Sequence, residues 1–130
     1  MPLDVGMPRP LGVGATGLAI LATLSDTAVA DYVRTNASRL RDHGLRPERL
    51  FQQVARSRKN GYAFSRGYGP PRLSGIGIAL KNRDARCIGA ISVTNLAARM
   101  TLEHRRDVLN ALREELVAIN ERLRMVSTFT

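Results

Sequence analysis

The spacing of apolar residues predicts three helices in the first half of the chain. They extend over Gly14–Leu24, from Ser25-Asp26 to His43-Gly44, and from Pro47 to Lys59-Asn60-Gly61. The first is almost entirely small or apolar, as in a buried helix, whereas apolar residues of the second recur every three or four positions. Ser or Asp at a helix start, proline in a first turn and glycine after the end are the expected boundary residues. The predicted apolar face of the third helix consists of Leu50, Phe51 and Val54.

After Gly61 the pattern changes to one typical of strands. A short strand is predicted at Tyr62-Ala63-Phe64, and two longer ones at Leu73–Leu80 and Cys87–Thr94. The polar connection between the longer strands favours an antiparallel hairpin. A long closing helix is predicted over Thr101–Arg124, because one apolar stripe recurs at helical spacing. That stripe consists of Leu102, Leu109, Leu112, Leu116, Ile119 and Leu123.

Helices followed by antiparallel strands and a closing helix predict an α+β fold with helices packed on a sheet. Two or three short strands make a poor sheet on their own, so further strands are expected before residue 1. We therefore predict that residues 1–130 form one domain that is incomplete on its N-terminal side. Residues 1–12, with Pro2, Pro8 and Pro10, are predicted to form an extended lead-in.

Composition narrows the class of protein. Hydrophobic residues make up 44% of the 130 residues, which suits one domain with a sizeable core. The longest apolar stretch, Val13–Leu24, is about half the ~20 residues that a membrane-spanning helix needs, and no signal peptide is recognisable. Because Cys87 is the single cysteine, no internal disulfide is expected and a cytoplasmic location is favoured.

The net charge of +9 raises nucleic-acid binding as an alternative function. The basic residues are scattered along the chain, and only two of the 20 are lysines, so no single basic stripe is evident. The best local support is the segment Arg66-Gly67-Tyr68-Gly69-Pro70-Pro71-Arg72, where arginines flank an aromatic ring that can stack on a base.

A glycine motif at the first helix invites comparison with a dinucleotide site. Gly12-Val13-Gly14-Ala15-Thr16-Gly17 has the spacing G-x-G-x-x-G, but the proline-containing segment before it does not suit a central strand. A helix rather than a strand is also predicted to follow, so we do not expect a dinucleotide site. Two interpretations stay open: free N–H groups at the helix start can bind an anion, or the small residues allow close packing on the sheet.

No catalytic or metal-binding set is evident, and we predict neither an enzyme nor a cofactor. His43, His104 and Cys87 lie in unrelated contexts, and no group of ligands has the spacing of a metal site. Ser92 and Thr94 are two residues apart and therefore share one strand face. A polar ligand, backbone carbonyls or water can each satisfy their hydroxyls.

Three segments resemble the effector domains of IclR-type transcription regulators. Pro10–Ala15 with Gly17–Ala22 is similar to their "PLH-x-x-A-x-G-K-A-x-L-A" helix, and Arg58–Ala63 is similar to their "R-x-x-GYA" segment. Gly75–Leu80 and Gly89–Thr94 resemble their "iAaPv…vaAisvsg" hairpin. The resemblance extends from about Val5 to Arg124.

The resemblance implies a GAF-like fold, an antiparallel sheet flanked by helices with a pocket on one face. In the family a winged helix-turn-helix domain precedes this region, so DNA would be bound only through that missing N-terminal domain. The implied function is that of an effector-binding domain that modulates DNA binding and oligomerisation, as a dimer or tetramer. The effector positions that the resemblance implies are Ala15, Thr16, Ser65, Leu73, Gly75, Ser92 and Thr94.

This chain departs from the family pattern at three positions. Leu18 replaces a lysine, Ser65 stands where an acid is frequent, and Gly75 where a cysteine is frequent. Together with the glycine-rich helix start, the candidate anion partners Arg66 and Arg72 favour a small organic acid as the effector.

Overall fold

The computed structural model describes residues 10–66 and 72–127, and side chains as far as residue 123. The predicted lead-in up to residue 9 and the Gly67–Pro71 part of the arginine–tyrosine segment lie outside the described residues. The predicted α+β order is confirmed. The elements of the described residues are α1 (Ala15–Ala22), α2 (Asp26–Asp42), α3 (Pro47–Asn60), β1 (Ala63–Arg66), β2 (Leu73–Lys81), β3 (Cys87–Leu96), a 3₁₀ turn (Ala97–Arg99) and α4 (Leu102–Ser127).

The ends of α2 and α3 follow the predicted local chemistry. The Ser25 hydroxyl accepts a hydrogen bond of 3.1 Å from the backbone N–H of Ala28 and caps α2. Pro47 occupies the first turn of α3, and Gly61 ends that helix with a φ of 78°. Glycine adopts this left-handed conformation without the steric penalty of a Cβ atom. The chain therefore turns sharply from α3 into β1.

The three strands of the described residues form an antiparallel sheet in the order β1-β2-β3. Ser65 pairs with Gly75, which pairs with Thr94 on the other side; in the next row on the same face, Ala63, Gly77 and Ser92 are neighbours. Because side chains alternate along a strand, these two rows share one face of the sheet. We call this face, which α1 covers, the pocket face.

A hydrophobic core lies on each side of the sheet. On the pocket face α1, α2 and α3 pack together, and on the opposite face α4 covers β2. The pocket-face core includes Leu18, Leu21, Val29, Val33, Leu40, Leu50 and Val54. The core under α4 consists of Ile76, Ile78, Met100, Val108 and Leu112, with Tyr62, Phe64, Ile91, Leu109 and Leu116 partly buried against it.

Two predicted apolar faces are wrong in part. Phe51 is 42% exposed although Leu50 and Val54 on the same helix are buried. It lies about 100° around the helix from Leu50, away from the core. In α4 the first residue of the predicted stripe, Leu102, is 77% exposed, and burial is centred on Val108 and Leu112 instead. Val108 and Leu112 are the α4 residues that pack with Ile76 and Ile78 of β2.

Close packing of α1 on β2 depends on two glycines. A Cβ atom added at Gly77 would lie 2.6 Å from the carbonyl oxygen of Ala15. One added at Gly75 would lie 3.1 Å from the Cβ of Ala15 and 3.3 Å from Oγ1 of Thr94. The packing interpretation of small residues is therefore supported, and the glycines that matter most lie in the strand.

Arg58 joins the end of α3 to the connection between α1 and α2. Its Nε donates to the carbonyl oxygen of Ala22 at 3.2 Å, and one terminal nitrogen donates to the carbonyl of Leu24. The other terminal nitrogen pairs with the carboxylate of Asp26. The planar guanidinium thus satisfies two carbonyls at the C-terminal end of α1, where the helix dipole favours a cation.

We expect Gly77→Ala to lower the free energy of unfolding by about 1–3 kcal/mol, because the new methyl group meets a backbone carbonyl that can move only with α1. Urea denaturation measures the change. Gly75→Ala is the matched comparison. It should lower the free energy of unfolding by less, because the atom nearest to the new methyl group is the side-chain Cβ of Ala15. Equal stability of Gly77→Ala and the unsubstituted chain would contradict the close contact.

Arg58→Gln should lower the free energy of unfolding by about 1–3 kcal/mol, because two carbonyls and one carboxylate lose a charged donor. Lys59→Gln is the control, since it removes the neighbouring exposed positive charge without breaking these bonds, and it should change stability by less than about 0.5 kcal/mol. Thermal and urea denaturation of both variants provide the comparison. An equal loss of stability in the two variants would mean that the change in net charge, and not the loss of the Arg58 hydrogen bonds, is the cause.

Candidate ligand-binding pocket

A pocket of about 430 Å³ lies between the start of α1, the pocket face of the sheet and the connection from α2 to α3. Its volume falls within the roughly 300–1,000 Å³ of typical small-molecule sites. Apolar side chains from α1 and the neighbouring loops, such as Val13, Ile20 and Leu45, line part of it. The polar groups converge from the helix start and from the ends of the strands.

All of the effector positions implied by the resemblance line this pocket. They come from α1 and all three strands: Ala15, Thr16, Ser65, Leu73, Gly75, Ser92 and Thr94. Of the two candidate anion partners, Arg66 lines the pocket, whereas Arg72 is exposed and is not among its lining residues. The structure thus brings the predicted set together, and ligand binding at these positions stays a prediction.

The strand register explains why three of these positions meet. Ser65, Gly75 and Thr94 form one row across β1, β2 and β3 on the pocket face, under the start of α1. Ser92 lies on the same face one row further along, opposite Gly77. Because both central residues of these rows are glycines, the space above β2 is occupied by α1 and by the pocket rather than by side chains.

The start of α1 presents free backbone donors to the pocket. Gly12 and Gly14 have φ angles of 100° and 89° and form the turn that leads into the helix. Gly14 is the N-cap residue and has no side chain to cap the helix. Within the described part of the chain, the N–H groups of Ala15, Thr16 and Gly17 have no hydrogen-bond partner. Such donors, aligned with the helix dipole, favour an anion.

Two hydroxyl groups join the helix to the sheet at the pocket. Thr16 Oγ1 and Ser92 Oγ are 2.7 Å apart, and either atom can be the donor. Each hydroxyl has one proton and two lone pairs, so their mutual bond leaves one donor and several acceptor positions for a ligand. Both residues are exposed, as is Thr94 further along the strand.

The described residues that line the pocket include neither aspartate nor glutamate, so no acid among them opposes an anion. Arg66 also lines the pocket, but strand alternation directs its side chain to the other face, where its guanidinium carbon lies 5.8 Å from the centroid of Phe64. No group of three or more His, Cys, Asp or Glu side chains in residues 10–66 and 72–123 has an arrangement that could hold a metal ion. Among the described helices, none is long and apolar enough to cross a membrane.

Sequence reasoning missed several lining residues, above all His43 and Gln53. His43 caps the C-terminal end of α2 and Gln53 lies in the middle of α3. Both were predicted to be helical, but helical periodicity does not show that they lie beside strands formed some 10–50 residues later. The fold alone brings them to the pocket.

Comparison with known families agrees with this architecture. Residues 1–120 match the family model described as the C-terminal domain of the bacterial transcriptional regulator IclR. The chain therefore belongs to the IclR C-terminal domain family of bacterial transcriptional regulators, as the sequence resemblance predicted. No curated protein matches the chain.

Solved structures of transcription regulators share the fold at low sequence identity. The transcriptional regulator YaiJ is 22% identical with a TM-score of 0.80, and the match covers 95% of this chain and 70% of that protein. A putative transcriptional regulator from Rhodococcus sp. RHA1 is 20% identical with a TM-score of 0.79, covering 97% and 53%. The Agobacterium tumefaciens repressor BlcR is 20% identical with a TM-score of 0.76, covering 93% and 50%. The chain thus corresponds to about half to 70% of these proteins.

Proposed function

We propose that this domain is the ligand-sensing part of a transcription regulator and that it binds a small organic acid in the pocket. The observation that carries the proposal is that the start of α1, with three free N–H groups, and the Thr16–Ser92 hydroxyl pair line the same cavity. These groups are hydrogen-bond donors or can act as donors, and no carboxylate of the described lining residues competes for them.

In this proposal each part of the pocket contacts a different part of the ligand. A carboxylate lies at the start of α1, where it accepts hydrogen bonds from the N–H groups of residues 15–17 and from the Thr16 hydroxyl. Hydroxyl or carbonyl groups of the ligand bond to Ser92 and Thr94. The carbon skeleton contacts the apolar side chains, such as Ile20 and Leu45.

The departures from the family pattern agree with an anionic ligand. Ser65 stands at a pocket position where the family frequently has an acid, so a source of repulsion for a carboxylate is absent. Gly75, at the position of a frequent cysteine, leaves space beside Thr94. Leu18 is 1% exposed and belongs to the core, so its departure from lysine concerns packing rather than the pocket.

Regulation requires the ligand to change the energy of a second site. A ligand that bridges α1 and the sheet would stabilise one arrangement of these elements. We propose that this bias alters both the DNA affinity of an attached DNA-binding domain and the assembly of the protein into dimers or tetramers. Such coupling between two sites is typically worth about 1–3 kcal/mol.

The double substitution Thr16→Val and Ser92→Ala tests the proposed pocket. It removes both hydroxyls together, so neither loses its partner alone, and each is worth about 0.5–1.5 kcal/mol in hydrogen bonding. We expect organic-acid affinity to fall roughly 5- to 150-fold if the contributions add. Calorimetric titration of a set of organic acids with the unsubstituted and variant chains measures this change.

Thr35→Val with Ser38→Ala is the matched control. Both residues are exposed on α2 and do not line the pocket, so this pair makes the same chemical change elsewhere. Its affinity should equal that of the unsubstituted chain. If an acid binds equally well to the Thr16–Ser92 variant, the ligand lies elsewhere and the proposal is wrong.

A further inference from the structure

A second cavity, of about 270 Å³, lies between α3, β1 and the first turns of α4. Four arginines from these elements line it: Arg49, Arg56, Arg66 and Arg105. The remaining lining residues are neutral, and no aspartate or glutamate is among those described. We call this cavity the basic cleft.

Three of the four guanidinium groups lack an ion-pair partner among the described residues. Within residues 10–66 and 72–123, no salt bridge involves Arg56, Arg66 or Arg105. Positive charges brought together without counter-charges repel one another. Such an arrangement is stabilised by an anion in the cleft.

Arg105 is held in a fixed position at the edge of the cleft. Its Nε donates a 3.1 Å hydrogen bond to the carbonyl oxygen of Met100, a residue that is 2% exposed. Its guanidinium carbon lies 3.8 Å from the centroid of the Phe64 ring, which stacks against it. The two terminal nitrogens have no partner in the described part of the chain, so they are preorganised donors for an oxyanion.

The other arginines approach from different directions. Arg49 and Arg56 are seven residues apart on α3 and therefore lie on the same side of that helix. Arg66 ends β1, and its guanidinium carbon lies 5.8 Å from the centroid of Phe64. Donors from a helix, a strand end and a second helix thus surround one small volume, as recognition of a multiply charged anion requires.

We propose that the basic cleft binds a small polyanion of the diphosphate type, at a site distinct from the organic-acid pocket. The small volume and the arginines on three elements favour a compact ligand, whereas a nucleic-acid backbone is usually contacted by an extended stripe of basic residues. Arg66 and Gln53 line both cavities, so the two sites are neighbours. The proposal does not depend on the ligand of the first pocket.

Calorimetric titration of the 130-residue chain with inorganic pyrophosphate tests the proposal. Arg56→Gln and Arg105→Gln should each weaken binding by about tenfold or more, as expected for a hydrogen bond to a charged group. Arg56 is exposed and has no hydrogen bond or ion pair in the described residues, so its variant should fold normally. Circular dichroism checks the fold of the Arg105 variant. Arg66 is left unchanged because it also lines the first pocket.

Arg106→Gln is the matched control, because it removes the same charge from the adjacent exposed residue of α4 outside the cleft. It should change pyrophosphate affinity by no more than about twofold. The Thr16→Val and Ser92→Ala double variant should bind pyrophosphate as well as the unsubstituted chain. This measurement distinguishes between two outcomes: that the proposed polyanion site is wrong, and that the proposed organic-acid site is wrong.

Several results would overturn the proposal. They are the absence of saturable pyrophosphate binding, equal weakening by Arg106→Gln, unchanged affinity in the Arg56 and Arg105 variants, or weakening by the Thr16–Ser92 double variant. A single-stranded oligonucleotide that displaces pyrophosphate and loses affinity in both cleft variants would identify the ligand as a nucleic-acid backbone instead.

Discussion

The contact between the start of α1 and the middle of β2 positions most of the remaining structure. It exists because Gly75 and Gly77 have no side chains, which lets the backbone of Ala15 lie against the strand. From this contact α1 extends over the sheet and buries Leu18 and Leu21 against α2 and α3. The same contact places the helix start, with its free N–H groups, beside the pocket. Packing and the proposed chemistry thus depend on one close approach.

The arginines of this chain lie in at least three different structural environments. Arg58 is structural, because its guanidinium satisfies carbonyls at the end of α1 and an acid of α2. Arg66 lies between the two cavities, and Arg105 is held by a carbonyl and an aromatic ring at the second. The positive charges behind the net charge of +9 are therefore not distributed evenly over the described residues. Where arginines meet at a cavity without acids, the local field favours anions.

Local sequence chemistry was sufficient to predict the helices, the hairpin and the α+β order. Ser25, Pro47 and Gly61 mark helix ends because their effects act within a few residues. The seven proposed effector positions came from the family resemblance, and the strand register then explained why they meet. No local sequence pattern predicts that Gly75 and Gly77 determine how closely α1 packs on β2.

The predictions were wrong where burial depends on contacts distant in sequence. Leu102 continues the apolar period of α4, yet it begins the helix, outside the core that Val108 and Leu112 form with β2, and it is exposed. Phe51 is apolar but lies off the packed face of α3. His43 and Gln53 were assigned to helices without a role, because only the assembled fold places them beside the strands. The basic cleft was missed for the same reason, since its arginines are up to 56 residues apart.

In the proposed function, the start of α1 binds the carboxylate of a small acid. The most direct test is a two-dimensional ¹H–¹⁵N NMR titration of the labelled chain with an organic acid that binds it. The largest amide shifts are expected at Ala15, Thr16 and Gly17, where free N–H groups gain an anionic acceptor, with smaller shifts at Ser92 and Thr94. Saturable shifts confined to other parts of the chain, with these amides unchanged, would contradict it.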